Sequence, residues 1–413
     1  MRTLLVALLL LAVSCKDKTA EPVQAAAQSD EERSALALLP VKGDGKEDAD
    51  VKQWQQRARE LPMKPEAWLG LAEAWIRRAR IGSDAGDYLS AEAAADLAAA
   101  KGGGSQAAGL QAMVLLNRHQ FKEVVKKAEQ TLAKDPDDLR TLGALADAQL
   151  ELGELDAAAG TVQHMIDLKP NLPSYGRASY LRWLNGDRET AVKYARLAID
   201  SGRDGHDVEP RAWTLCQAAG YFWQAGDYEG ALTGYDAALG TLPGFAPALQ
   251  GKGRALLSLG RAAEAAVVLE QSFNARPLVE TGSLWVEALE AAHDARAAEA
   301  IEKTEEEGKR GDAYGLGLFY ANRNVHTDEA VALLEKEKSS RPGVYVVDAL
   351  AWAYYRAGKL DLAERESALA VAHGTPDARL LFHRGTILVA SGKTAEGQAL
   401  IARAEALNPR GAK

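Results

Sequence analysis

Six prolines, Pro136, Pro170, Pro243, Pro277, Pro342 and Pro409, follow one another at gaps of 34, 73, 34, 65 and 67 residues, each close to one or two units of 34. The stretches between them have helical character. A fixed period of this size marks a repeat array, in which each unit is one supersecondary element that buries its apolar face only against its neighbours. Length agrees with this. The chain has 413 residues, more than a usual single domain, whereas a stacked array grows its core lengthwise. Arrays of this kind serve as surfaces for holding other molecules.

The N-terminus has a different character. Residues 1–14 read MRTLLVALLLLAVS, one Arg followed by ten apolar residues at 4–13. That stretch is too short to span a bilayer and fits the apolar region of a signal peptide. It ends in Ala12-Val13-Ser14-Cys15, which resembles the lipobox of bacterial lipoproteins. The resemblance implies that Cys15 is diacylated and begins the mature chain; the alternative is ordinary cleavage beside a chance cysteine. Only two cysteines occur, so with Cys15 acylated Cys216 has no disulfide partner. Cys216 lies in an apolar helical stretch and is expected to be a buried small hydrophobe. Residues 16–50, rich in Ala, Gln, Glu, Asp and Lys, read as a tether. Within it, SALALLPV at 34–41 is the one apolar patch, which either docks on the array or is plain linker. The expected organisation is a signal peptide at 1–14, a lipid-anchored flexible linker at 15–64 with a possible capping helix at 51–60, and the array at 65–410.

The repeat unit resembles the tetratricopeptide repeat, a 34-residue helix A–turn–helix B hairpin. That family has small residues at positions 8, 20 and 27, glycine at the fifteenth and proline near the thirty-second. In the clearest copy Leu145 and Ala146 fill positions 7 and 8, Gly153 the fifteenth, Ala158 the twentieth and Pro170 the thirty-second. A second copy has Gly226, Asp227, Tyr228, Ala231, Tyr235, Ala238 and Pro243; a third has Gly253, Gly260, Ala265, Leu269 and Pro277. The spacing has physical causes. Glycine admits the positive φ that ends helix A, small residues let the two helices approach, and the proline blocks continuation of helix B. Weaker copies begin around Trp68, Leu71, Ala72 and Trp75 (with an insertion at 80–86), close at Pro136, surround Gly186, and end the chain around Gly358 and Gly392; those at 284–308 and 314–342 are degenerate. The expected fold is all-α, an α-solenoid of about ten such repeats.

Motifs for chemistry are missing from the sequence. None of the seven histidines makes an HExxH or another paired-ligand spacing. Ser391-Gly392-Lys393-Thr394 matches the end of a phosphate-binding loop, but Ile387 stands where the leading glycine belongs. Neither GxSxG nor GxGxxG occurs. The acidic run 302–307 (EKTEEE) reads as a solvated helix face. No catalytic residue, metal site or cofactor is therefore expected. Formal charge is −9 without clusters of Lys and Arg, which argues against nucleic acid as a partner.

In tetratricopeptide proteins the concave wall is made by helix A positions 2, 5, 6, 9, 12 and 13, and chaperone-binding members carry a Lys–Asn–Arg clamp there. Here position 5 holds Gly109, Gly143, Gly176, Cys216, Gln250, Asp348 and Phe382, and position 9 holds Met113, Asp147, Tyr180, Gly220, Arg254, Trp352 and Thr386. No copy has the Lys–Asn pair. Aromatics do collect on this wall: Tyr180, Trp183, Trp213, Trp223, Tyr345, Trp352 and Tyr355. Position 12 is apolar throughout, with Leu116, Leu150, Leu257 and Val389 beside Trp183, Trp223 and Tyr355, so packing between helices competes there with a partner-binding role. Position 9 is otherwise polar or small, which makes Tyr180 and Trp352 the leading candidate contacts, followed by Trp183, Trp223 and Tyr355. The resemblance implies a non-enzymatic, lipid-anchored adaptor for protein partners in the bacterial cell envelope, facing the periplasm. Lys16, in place of the Asp that signals inner-membrane retention, points to the outer membrane. The alternative is a carbohydrate-binding lipoprotein whose wall aromatics stack on sugar rings.

Overall fold

In the computed structural model, residues 29–411 are described apart from 83, 84, 204 and 206. The first fourteen residues, Cys15 and the start of the tether lie outside them. Two helices, α1 (Asp30–Ala37) and α2 (Lys46–Glu60), precede ten helical hairpins. The hairpins pair α3 (Pro65–Gly82) with α4 (Ala85–Ala100), α5 (Gly104–Asn117) with α6 (Phe121–Leu132), and α7 (Leu139–Glu151) with α8 (Leu155–Leu168). Next come α9 (Leu172–Leu184) with α10 (Arg188–Ser201), α11 (Glu209–Gln224) with α12 (Tyr228–Thr241), and α13 (Ala246–Ser258) with α14 (Ala262–Ala275). The rest are α15 (Val279–Ala291) with α16 (Ala297–Gly311), α17 (Ala313–Arg323) with α18 (Thr327–Ser340), α19 (Val344–Arg356) with α20 (Leu360–Ala370), and α21 (Ala378–Ala390) with α22 (Thr394–Leu407). The fold is an all-α solenoid.

The local causes are those the period implies. Pro170, Pro243, Pro277, Pro342 and Pro409 each sit two residues beyond the end of a helix B, where a ring without an N–H cannot continue the ladder. Ala158 and Ala265, at the twentieth repeat position, are fully buried where helix B meets helix A. Gly153 takes φ +74° between α7 and α8, a conformation that costs a residue with a Cβ roughly 1–2 kcal/mol. Hairpins that lack the glycine make the same turn: His119, His293 and Asn324 hold φ of 57°, 54° and 55°. The repeats that look degenerate in sequence are therefore regular hairpins with a more strained turn.

The tether expectation changes from residue 30 onward. Ser29 caps α1 through a capping box with Glu32, and the apolar patch docks on the first hairpin. The backbone carbonyl of Ala37 accepts from Trp75 Nε1 at 3.0 Å, that of Leu36 from Ser90 Oγ at 3.0 Å, and that of Leu39 from Gln55 Nε2 at 2.7 Å. Ala37 and Val51 are fully buried with Trp68, Leu71 and Leu97. The helix expected at 51–60 begins earlier, at Lys46. The extra residues of the first repeat lengthen α3, which runs through Gly82.

The solenoid coils tightly enough for its later hairpins to lie on its earlier ones, offset by roughly five and a half repeats of 34 residues. A Cβ on Gly186 would stand 2.9 Å from the Gly374 carbonyl oxygen, and one on Gly153 would stand 3.2 Å from that of Pro342. Side chains fasten the contact. Thr375 Oγ1 donates to the Leu184 carbonyl at 2.6 Å, and Gln224 Nε2 donates to Asp377 Oδ2 at 2.8 Å. Buried Asn408 is the last fastener. Its Nδ2 donates to the Trp223 carbonyl at 2.7 Å, and its Oδ1 accepts from Tyr228 Oη at 2.7 Å and from the Gly411 amide at 2.8 Å. Asn408→Ala strands those buried groups and should cost about 1–3 kcal/mol. Hydrogen exchange of the α11–α12 turn should rise, and unchanged protection there would mean that the C-terminal contact holds nothing.

Candidate functional site: the inner wall of the array

The wall residues lie on α9, α11 and α19, the first helices of their hairpins, and packing decides which of them meet solvent. Trp183, at the C-terminal end of α9, is only 3% exposed. Its Nε1 donates to Tyr345 Oη at 3.1 Å, and its ring stacks on Tyr221 at 4.7 Å between centroids. Tyr345 opens α19, so this bond joins one level of the coil to the next. Trp223 is 8% exposed; its Nε1 donates to Ser258 Oγ at 2.8 Å, and the Arg254 guanidinium covers its ring at 4.3 Å. Trp352 is 5% exposed. It lies flat against His383 at 4.1 Å and an interplanar angle of 8°, with Tyr355 at 4.9 Å and Arg356 at 4.5 Å on its other contacts. Tyr180 and Tyr355 are half-buried beside these clusters.

Three of the candidates are thus corrected on geometry. Trp352, Trp183 and Trp223 are packed against neighbouring helices or the next level of the coil and do not present a free ring. Tyr180 stays half-buried; desolvation by its surroundings, with the Glu151 carboxylate next in effect, pushes its phenol far above the ordinary tyrosine range. Tyr345 and Tyr314 are raised for the same reason, the latter to about 12. Glu151 itself titrates higher than an ordinary carboxylate because the surrounding protein partly desolvates it, an effect that Arg341 at 3.6 Å opposes.

One wall aromatic stays open. Trp213, at position 2 of α11, is 51% exposed. Tyr345 holds the same repeat position in α19 and is covered by Trp183 from the earlier level. Trp213 belongs to the fifth hairpin, with fewer hairpins before it to supply such a cover. Sequence reasoning placed Trp213 on the wall but ranked position 9 above it, because the rank rested on repeat position and took no account of the coil.

Other sequence candidates resolve into structural roles. Cys216 is half-buried, and burial pushes its thiol up to about 12, so it carries no thiolate near neutral pH. Gly392, at φ +84°, turns α21 into α22, and Lys393 is held by Glu364. The acidic run on α16 pairs with its own helix, Lys309 with Glu305 and Arg310 with Glu307, as a solvated face does. Among the described residues no group of three or more His, Cys, Asp or Glu could hold a metal ion, and no helix is long and apolar enough to cross a membrane. The closest polar cluster is buried His383, whose Nδ1 lies 3.0 Å from Asp348 Oδ2, with Arg379 3.7 Å from the same oxygen. Trp352 covers it, and it ties α19 to α21.

Residues 115–179 and 222–278 match the family model of the tetratricopeptide repeat. The hairpins in these two stretches are tetratricopeptide repeats. Among solved structures, the chain is similar to PilW, described as a widely conserved type IV pilus biogenesis factor. Identity is 16%, the match covers 51% of this chain and 96% of that one, and the TM-score is 0.42. It is similar also to a chain of the APC/C hetero-tetramer Cut9-Hcn1, at 13% identity over 92% of this chain and 96% of that one, with a TM-score of 0.38. A third is a thermophilic TPR protein of Thermus thermophilus, TTC0263, at 23% identity over 43% of this chain and 99% of that one, with a TM-score of 0.34. Compared with curated protein sequences, the chain has no match.

Proposed function

We propose that this chain is a non-enzymatic, lipid-anchored scaffold of the bacterial cell envelope, binding a protein partner on the open part of the tetratricopeptide inner wall. The observation that carries the reading is Trp213, a large aromatic 51% exposed on a wall whose other tryptophans are covered. A preformed aromatic in a concave surface is the kind of residue that concentrates binding energy, because it loses little entropy and much water on contact. Trp213→Ala should weaken partner capture by about 2 kcal/mol, roughly thirtyfold, and leave the melting temperature unchanged. If binding in a quantitative pull-down is the same for both proteins, the partner surface is not this wall.

The anchor reading rests on the 1–14 apolar leader and on Cys15 behind Ala12-Val13-Ser14. Because α1 begins at Asp30 and is docked, only residues 16–29 separate the acylated cysteine from the array. Fifteen residue steps reach at most about 50 Å, so the scaffold works close to its membrane. Lys16 supports the outer membrane. Cys15→Ser should abolish incorporation of labelled palmitate and move the protein from the membrane to the soluble fraction, since several acyl chains hold firmly where one holds weakly. A wild type that fractionates as soluble with an unmodified Cys15 would refute the anchor.

A further inference from the structure

The connector between α10 and α11 spans residues 202–208, while α8 and α9 are separated by 169–171 and α14 and α15 by 276–278. A gap is left between the N-terminal part of α10 and the C-terminal end of α11, away from that connector. The gap is a groove of about 730 Å³. Its lining residues lie outside the wall positions of helix A, so it opens away from the inner surface. Val192 and Leu197 of α10 and the half-buried ring of Phe222 form its apolar lining, with buried Tyr221 beneath, and Arg188, Lys193 and Arg196 form its cationic rim. Glu189 is the acid among the lining side chains. All three cations are exposed, and none has a carboxylate partner among the described residues. Arg177 of the preceding helix shows the contrast, clamped by Asp147 at 2.6 Å. In a chain with 58 acidic and 49 basic residues, three unpaired cations round an apolar hollow are a local reversal of charge.

We propose that this groove is a second docking surface, and that its occupant is an acidic amphipathic helix of a partner protein. Arg188, Val192 and Arg196 recur every four residues along α10, so charge, apolar side chain and charge line one helical row about 12 Å long. A partner helix lying in the groove meets this row with carboxylates at matching i, i+4 spacing and turns its apolar stripe onto Leu197 and Phe222. The concavity favours a helix over a membrane surface, which needs a flat or protruding basic patch to reach headgroups. Three cations in so short a row are few for a nucleic-acid backbone.

The test is selection from a phage-displayed library of random peptides two to four helical turns long. It uses the full chain lacking only its leader and anchor, with the triple variant Arg188→Glu/Lys193→Glu/Arg196→Glu as counter-target. The substituted side chains are exposed, so the variant keeps its fold, and circular dichroism checks this. The expected result is enrichment of peptides with Asp or Glu at i, i+4 spacing beside apolar residues. Their affinity should fall at least about tenfold on the triple variant and stay unchanged on Trp213→Ala, which separates this surface from the inner wall. Enriched peptides without acids, or acidic peptides bound equally by the triple variant, overturn the proposal. So does binding to phosphatidylglycerol-containing vesicles that the triple variant loses while no peptide is enriched. Concentration-dependent self-association abolished by the same variant would likewise replace the partner helix with a second copy.

Discussion

Trp352→Ala melts early and keeps its partner. The indole is 5% exposed and lies between the His383 ring at 4.1 Å and Tyr355 at 4.9 Å, with the Arg356 guanidinium over it at 4.5 Å. Truncation empties a space bounded by α19, α20 and α21 and uncovers the His383–Asp348 pair, so the expected cost is about 3–5 kcal/mol. Because each repeat supports mainly its neighbours, the damage should concentrate in the last hairpins and broaden the unfolding transition. A urea or thermal melt beside a pull-down on the folded variant decides the matter. Should Trp352→Ala melt with the wild type and lose its partner, the ring is a binding anchor, and its burial in this conformation is relieved when the coil opens.

Gly397→Ala should destabilise, against the usual sign for such a change. Alanine in a helix interior ordinarily gains about 0.5–1 kcal/mol over glycine. At Gly397, however, the added Cβ would stand 2.5 Å from the Gly385 carbonyl oxygen and 2.7 Å from Val389 Cγ2, and a Cβ on Gly385 would meet the Gly397 carbonyl at 2.7 Å. Two backbones touch there, and backbone cannot rotate aside as a side chain can. Helix α22 must shift off α21, at a net cost of about 1–3 kcal/mol, and Asn408 at its end is drawn from the Trp223 carbonyl. Gly160→Ala is the control, since nothing lies within 4 Å of a Cβ at that helical position. It should raise stability by about 0.5–1 kcal/mol. A Gly397→Ala protein that melts as high as Gly160→Ala would show that the two helices are not in this close contact.

Sequence and structure agree where the cause is local. The prolines past helix B, Gly153 at the helix A turn and the small residues at Ala158 and Ala265 each act within one hairpin, so a 34-residue period is enough to find them. Even the degenerate units obey it, because His119, His293 and Asn324 adopt the glycine's left-handed conformation at a cost the packed hairpin can bear. The docked α1 was harder to see. Its partners Trp75 and Ser90 are 38 and 54 residues away from the carbonyls they bind, and a short helix of linker-like composition gives no period to read.

The function of each wall residue lies beyond any single repeat. Trp183, Trp213, Tyr345 and Trp352 all fall on the face that the repeat positions assign to the inner wall, and so far the sequence suffices. Which of them is covered depends on the pitch of the coil, the accumulated result of a small rotation and rise at every hairpin interface. A slightly wider pitch would part Trp183 from Tyr345 and Leu184 from Thr375 without changing any hairpin. The sequence by itself determined the hairpins, their number and the face each side chain occupies, because those follow from neighbours along one chain. Only the tertiary structure decided that Trp352 and Trp183 are core while Trp213 is open, because exposure here is set by packing between helices and between levels of the coil, the latter joining residues more than a hundred positions apart.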